Sequence, residues 1–391
     1  MCTGIITMPE RLRKYFKGDS IIWALLITLS LLSLLAVYSS TFTLAYQYRS
    51  GHVGYYLFRH IVFIFFGILV AYLTHLVPYR FYSRISHMLL LISIPLLLLT
   101  LLFGRNVNEA SRWLTLPGTS LSFQTSDLAK LALIMYLARL LSLKQDQIRS
   151  YKEGFLPVLT PIILICALIL PANFSTSVIL FSVSMVLMFI GRIRFTYISL
   201  MILGMAAVMA ILITLAVKSD WSGRWETWRN RIVHHVEQDS EGNYQAEQSK
   251  IAIATGGFFG KGPGNSMQRN FLPQPYSDFI FSIIIEEYGF LGGVFVILLY
   301  LALLFRAGVL VRNSTRTFAA FLAFGLALLL VMQAMVNMAV AVGILPVTGQ
   351  PLPLISMGGT SILFTSAAIG IILSVSNGLN QQKKEVEVET A

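Results

Sequence analysis

The sequence predicts an all-α polytopic membrane protein of ten transmembrane helices, with both termini cytoplasmic and a large extracytoplasmic loop between helices 7 and 8. Three observations predict it. Of 391 residues, 56% are hydrophobic and only 12% are charged, against about 25% charged in soluble chains. The apolar residues gather into runs near the ~20 residues that cross a bilayer. Lys and Arg divide unevenly between alternate loops. With a mean hydropathy of +0.72, a soluble enzyme, a disordered chain and a small secreted scaffold are excluded. The net charge of +11 reads as basic cytoplasmic loops and not as a nucleic-acid footprint. Cys2 and Cys166 make no disulfide framework, and their spacing fits no metal site.

In chain order, the runs are residues 21–41, 58–77, 88–103, 128–143, 155–170, 174–190, 196–217, 279–305, 317–342 and 361–378. The first is long enough to span, and no small-residue cleavage site follows Ser39-Ser40-Thr41, so it is not a signal peptide. Runs 155–170 and 174–190 are joined only by Pro171-Ala172-Asn173 and form a tight hairpin bending near the outer surface. Residues 1–20 form a cytoplasmic segment, 21–380 the membrane domain, 218–278 the outer loop and 381–391 a cytoplasmic tail. The composition of 383–391 reads as disordered. With the N-terminus inside, the inner segments carry 17 Lys and Arg and the short outer ones 5; a further seven lie in the 218–278 loop. Long loops cross largely regardless of charge, so 17 against 5 decides the orientation.

Polar residues in so apolar a chain mark function by default, and they crowd on the outer side. Before the fourth span, Ser126 is a candidate N-cap with Asp127 complementing the helix dipole. Lys130, a turn inside, must either snorkel or meet an anion. In the long loop, Trp221, Arg224, Trp225, Trp228, Arg229 and Arg231 read first as an interfacial belt. Asn243 through Lys250 runs into an amphipathic helix. The Gly256–Gly264 run is not a phosphate loop: Gly256 and Gly260 have three residues between them, and Gly262 follows Lys261 where Ser or Thr is needed. It reads as a flexible glycine turn. Last, Asp278, Glu286 and Glu287 enter one apolar span. On a helix Asp278 and Glu286 would lie ~12 Å apart along the axis, wide for the ~5–9.5 Å of a glycosidase carboxyl pair. Asp278 is then either a lone carboxylate at a cavity mouth or an N-cap, and Glu286 and Glu287 are supporting residues that hold helices together.

These residues also carry a resemblance. Pro273-Gln-Pro-Tyr-Ser-Asp278-Phe-Ile-Phe with Glu286-Glu287-Tyr-Gly-Phe-Leu-Gly resembles the hallmark of the SEDS family of shape, elongation, division and sporulation proteins. Gly343-Ile-Leu-Pro-Val-Thr-Gly-Gln-Pro-Leu-Pro-Leu-Ile-Ser-Met-Gly-Gly-Thr-Ser361 is similar to a second hallmark. Arg112-Trp113, Phe123-Gln-Thr-Ser-Asp-Leu-Ala-Lys130 and Tyr244-Gln-Ala-Glu-Gln-Ser249 are similar to others. The likeness covers about residues 20–380. Three departures stand out: Ala172-Asn173-Phe174-Ser175-Thr176 replaces a common Pro-Asp-Leu-Gly-Thr, Asp127 a usual Glu, and Met357 a usual Tyr.

The resemblance implies a peptidoglycan glycosyltransferase that polymerises lipid II at the outer membrane face, on the division branch and hence at the septum of a bacterial cytoplasmic membrane. The elongation branch and a lipid II flippase or transporter are the alternatives; the almost wholly apolar inner halves of the spans weigh against the flippase. The resemblance makes Asp278 the catalytic base. Arg112, Lys130 and Lys250 are candidate pyrophosphate ligands, Gln245, Gln248 and Ser356 further substrate contacts, and Trp113 a supporting residue. It implies a divalent cation, magnesium or manganese, travelling with the pyrophosphate, and no organic cofactor. The sequence offers no carboxylate cluster that would make a metal cage. The implied partners are a class B penicillin-binding transpeptidase and other division membrane proteins.

Overall fold

The computed structural model describes residues 16–42, 44, 53–107, 110–115, 122–218 and 244–389. Eleven helices of ten residues or more lie among them. They are α1 Ser20–Ser40, α2 Val53–Leu76, α3 Tyr79–Phe103, α4 Thr125–Leu143, α5 Leu156–Ile169, α6 Phe174–Ile190, α7 Phe195–Lys218, α8 Tyr244–Gly256, α9 Ile280–Arg312, α10 Thr317–Ala341 and α11 Thr360–Glu389. Each apolar run falls in its own helix, and α8 is the expected helix of the long loop. Seven helical stretches are long and apolar enough to cross a membrane, and Phe174–Ile190 and Phe195–Val208 are shorter apolar ones. Cys2 and the Trp and Arg residues at 221–231 lie outside the described residues.

Helix ends follow local chemistry where the apolar run alone misplaces them. Asp19 Oδ1 accepts the Ile21 amide at 2.8 Å and starts α1. Its Oδ2 pairs with the Arg306 guanidinium, fastening α1 to α9. Asn173 starts α6 by accepting the Thr176 amide at 3.2 Å, which closes the predicted α5–α6 hairpin. Ser126 does not cap α4. Gln124 holds that position, and Ser126 lies in the first turn, where its Oγ accepts from Gln124 Nε2 at 3.0 Å. Helix α11 continues to Glu389 instead of ending in a disordered tail. Residues 378–385 carry no Pro after Gly378, and the Gln, Lys and Glu there propagate a helix well.

Two departures from the all-α expectation bear on the candidate site. Strands β1 Arg105–Val107, β2 Ala110–Thr115 and β3 Ser122–Gln124 form an antiparallel sheet in that order. Trp113 pairs with Gln124 and also with Arg105, while Asn106 pairs with Ser111. Arg112 is thus the extra residue of a bulge, a device that re-aims a strand locally. Its side chain lies outside the described residues.

The second departure is α9. Its 33 residues would run ~50 Å, too long for one ~30 Å crossing. Gly289 breaks it, at φ 71 and ψ −173. The Gly256–Gly264 run docks onto this break and so is not a free turn. Lys261 N and Gly262 N donate to the carbonyls of Glu286 and Glu287 at 3.0 and 2.9 Å, and Phe290 N donates to Gly257 O at 2.9 Å. Glycine is required for the approach: a Cβ on Gly260 would lie 2.2 Å from Glu287 O, and one on Gly289 would lie 2.3 Å from Phe258 O.

Among the helices long and apolar enough to span, α10 and α11 are the most enclosed, and α2 and α3 are largely outward-facing. Large apolar side chains such as Phe58, Leu102 and Phe103 stand exposed on those outer helices, as a lipid-facing surface requires.

The docked loop can be tested with a pair of glycines. Gly257, at φ +57, has nothing within 4 Å of an added Cβ, so Gly257→Ala should cost only the ~1–2 kcal/mol of left-handed backbone. Gly260→Ala adds the clash with Glu287 O and should melt the purified protein at a clearly lower temperature. Equal melting temperatures for the two variants would show that the loop is not packed on the break.

Candidate active site

The predicted base, Asp278, is not on the helix. It sits in a turn two residues before α9 and one before the N-cap residue Phe279. The axial spacing to Glu286 expected for a continuous helix therefore does not apply, and the N-cap reading gives the cap to its neighbour. The turn is pinned through its main chain. Three successive carbonyls each accept a hydrogen bond: Tyr276 O from Met357 N at 2.9 Å, Ser277 O from Ser356 Oγ at 2.5 Å, and Asp278 O from Asn337 Nδ2 at 2.8 Å. Ser277 Oγ donates to Asp278 Oδ1 at 2.8 Å. Asp278 itself is half-buried.

The donors come from the non-helical segment between α10 and α11, residues 342–359, and from α10. Ser356, expected to touch substrate, has its hydroxyl proton on Ser277 O and accepts from Leu352 N at 2.8 Å. It braces the turn. Asn337 donates its second amide proton to Gln350 O at 2.7 Å. Gln350 Nε2 reaches Thr176 Oγ1 at 2.7 Å and Asn173 Oδ1 at 3.0 Å. The Asn173 that replaces the family's acid thus serves as an acceptor for both its own helix and this segment.

Lys130 neither snorkels nor stands alone. It is 6% exposed and pairs with Asp127 Oδ1 at 2.8 Å, one turn back on α4. Its Nζ also donates to Gln333 Oε1 at 3.3 Å, and Gln333 Nε2 donates to Pro351 O at 3.2 Å. Asp127 Oδ2 is buried without a partner among the described residues.

Glu286 is fully buried and accepts four hydrogen bonds, from Lys261 Nζ at 2.7 Å, Ser266 Oγ at 2.5 Å, Met267 N at 3.1 Å and Gln268 N at 3.2 Å. Glu287 accepts from Ser39 Oγ on α1. Arg269 donates to Ser39 O at 3.2 Å and lies 4.9 Å over the Phe42 ring. Glu286 thus binds the 261–268 loop, and Glu287 links α9 to α1.

The remaining predicted residues lie around this core. Gln245 and Gln248 are half-buried on α8, and Lys250 is exposed. The Lys250 stem packs against Gly343, where a Cβ would lie 2.2 Å from its Cε. Trp113 is half-buried on β2. Sequence reasoning missed Asn337, Gln333 and Gln350, although amides in an apolar run are a signal. It also passed over Ser249, which ties α8 to Ser282 Oγ at 2.5 Å and to Ala341 O at 2.6 Å. Among the described residues, no group of three His, Cys, Asp or Glu is placed to hold a metal. These donors make no cage for the implied divalent cation.

The Lys130–Asp127 pair yields a stability test. Removing one member of a buried pair costs ~3–5 kcal/mol, whereas replacing both with apolar residues is often close to neutral. Asp127→Asn should sharply lower the melting temperature, and the double variant Asp127→Leu with Lys130→Met should recover most of it. A wild-type melting temperature for Asp127→Asn would show that the pair is solvated.

Comparison with known proteins places this architecture. A family model described as "Cell cycle protein", covering FtsW, RodA and SpoVE, matches residues 19–381. The chain is 36% identical over 382 residues to a probable peptidoglycan glycosyltransferase FtsW of Trichlorobacter lovleyi, covering 96% of each chain. It is 34% identical over 365 residues to a protein of the same description from Coxiella burnetii, covering 90% of this chain and 95% of that one. Among solved structures, it resembles a chain from work on the structural coordination of polymerization and crosslinking by a peptidoglycan synthase complex. The TM-score is 0.73 at 26% identity, with 93% of this chain and 99% of that one covered. The rod shape determining protein RodA of Thermus thermophilus matches at a TM-score of 0.68 and 26% identity, over 93% of this chain and 98% of that one. With seven long apolar helices among the described residues, this multi-pass membrane protein belongs to the FtsW/RodA/SpoVE family.

Proposed function

We propose that the chain polymerises lipid II into glycan strands at the outer face of the bacterial cytoplasmic membrane during septal wall synthesis, with Asp278 as general base. It is a peptidoglycan glycosyltransferase of the division type, in line with relatives described as FtsW at 32–36% identity over most of the chain. The observation that carries the assignment of the base is the anchoring of Asp278 by three successive main-chain carbonyls at the end of the long loop.

In the reaction, the 4-hydroxyl oxygen of a GlcNAc attacks the anomeric carbon of a MurNAc on undecaprenyl pyrophosphate. The new bond joins that oxygen to the anomeric carbon, and the bond from the anomeric carbon to pyrophosphate oxygen breaks. Asp278 takes the hydroxyl proton. Pyrophosphate needs cations as it leaves and no proton donor. Arg112, at the β2 bulge, and Lys130 and Lys250 are proposed to supply them, with Gln245 and Gln248 as polar contacts. Arg would fork two oxygens and Lys would give a point charge.

The topology that places Asp278 outside has ten spans and both termini in the cytoplasm, with residues 1–20 and 381–391 inside and 218–278 outside. The 17-to-5 division of Lys and Arg supports it. A class B penicillin-binding transpeptidase is the proposed partner, and other division proteins would hold both at the septum. The solved neighbour from a peptidoglycan synthase complex supports a polymerase that works beside a cross-linker.

Two experiments test this. A membrane-impermeant thiol reagent applied from outside should label a cysteine at Ser240 and spare one at Ser314; the reverse would overturn the orientation. In a gel assay of labelled lipid II with the transpeptidase present, Asp278→Asn should insert normally and yield no polymer. Asp278→Glu, with its base displaced by about an ångström, should lose ~100-fold. Polymer of normal yield from Asp278→Asn would remove Asp278 as the base.

A further inference from the structure

We propose that Gln333 and Asn337 form an amide pair that fixes the position of Lys130 relative to Asp278. The inference rests on the reading of Asp278 as base and Lys130 as a pyrophosphate ligand. The two amides are four residues apart on α10, so they share one face about 6 Å apart along the axis. Each has two arms. One arm of each grips neighbouring carbonyls of the same stretch: Asn337 holds Gln350 O at 2.7 Å, and Gln333 holds Pro351 O at 3.2 Å. The other arms diverge to the two proposed site residues. Asn337 holds the Asp278 carbonyl at 2.8 Å, and Gln333 Oε1 receives the Lys130 ammonium at 3.3 Å.

The orientation of both amides is chemically determined. The Asn337 Nδ2 faces two carbonyl oxygens, so it must be the NH2 end, because an oxygen there would be repelled twice. Gln333 faces an ammonium at one end and a carbonyl at the other, which admits only Oε1 toward Lys130 and Nε2 toward Pro351. Both side chains are enclosed, Asn337 1% and Gln333 5% exposed. In such surroundings polar side chains are costly unless satisfied, and bulk packing would be served as well by Leu. Asn337 Oδ1 has no partner among the described residues, so the residue is not there to saturate its own hydrogen-bonding capacity. What the pair accomplishes is geometric: a rigid helix spaces the cation and the base through one shared loop.

The two arms predict separable kinetic defects. The assay is steady-state polymerisation of labelled lipid II by the protein in complex with its transpeptidase, with melting temperatures measured in parallel. Asn337→Leu and the isosteric Asn337→Asp, which both remove the two amide protons, should lower kcat by ~10–100-fold, with KM within about threefold. Gln333→Leu should raise KM several-fold with kcat largely retained, and Gln333→Glu, which keeps an acceptor for Lys130, should restore much of the KM. Melting temperatures should fall in all four variants, because each leaves buried carbonyls without their amide donors, but the split between kcat and KM should not follow the size of that fall.

Unchanged kcat in both Asn337 variants would overturn the proposal. So would equal kcat losses from Gln333 and Asn337 variants tracking a common fall in melting temperature. Failure of both Asn337 variants to fold would assign the residue to stability and also overturn it. Asp278→Asn run alongside separates the two readings: full activity there removes the base and the positioning role together, whereas its inactivity with normal Asn337 variants removes the positioning role alone.

Discussion

Backbone that leaves a helix inside an apolar environment must find its hydrogen bonds in the protein, since each unsatisfied group costs several kcal/mol there. The end of the molecule that carries Asp278 is arranged around that constraint. Helix α9 breaks at Gly289, and residues 342–359 do not continue α10. The first break frees the Glu286 and Glu287 carbonyls and the Phe290 amide, and the glycine run at 256–262 arrives as their partner. Only glycine permits backbone to meet backbone at that distance. The second irregular segment is satisfied by side chains, through Asn337, Gln333 and Ser356.

Once these segments are fixed, the buried charges follow. Glu286 sits directly under the docked loop, and four donors from residues 261–268 converge on it. A buried carboxylate is tolerable when it is paired and fully hydrogen-bonded, and the loop supplies both conditions. The dependence is mutual: the loop satisfies Glu286, and Glu286 gives the loop a reason to hold one conformation. Asp127 with Lys130 and Asp19 with Arg306 follow the same logic at other depths. Pairing places ionic groups where an unpaired ion would drive refolding or neutralisation.

How much of this was legible in the sequence depends on the range of the interaction involved. The ten apolar runs are local and strong, so each found its helix. The α5–α6 hairpin and its Asn173 bend were legible because proline and asparagine act within a few residues. Boundaries failed where polar residues extend a helix beyond its apolar run, as at Tyr79 and in the continuation of α11 to Glu389. Lys130 illustrates a subtler limit. Its i−3 partner Asp127 was in plain view, yet a pair one turn apart competes with snorkelling, and only burial from neighbouring helices decides between them. The Gly289 break, the small sheet at 105–124 and the amides of α10 depend on contacts between segments far apart in the chain. Of these, only polar residues in an apolar run leave a trace, and it gives no partner.

The manner in which Asp278 is held suits the proposed chemistry. A general base must bring a carboxylate oxygen within about 2.6–3.2 Å of the proton it takes, and about an ångström of error is expensive. The turn supplies precision through the main chain, with Tyr276, Ser277 and Asp278 carbonyls each anchored to residues of α10 or the following segment. Such bonds fix Cα and the direction of Cβ without drawing on the carboxylate oxygens. Cationic demand is concentrated elsewhere, on the leaving pyrophosphate, and Lys130 is linked to the same stretch of chain through Gln333. An inverting displacement needs its proton acceptor and its anion ligands on opposite sides of the reacting carbon. A common scaffold with two separate arms, one to the Asp278 carbonyl and one to the Lys130 ammonium, suits that need.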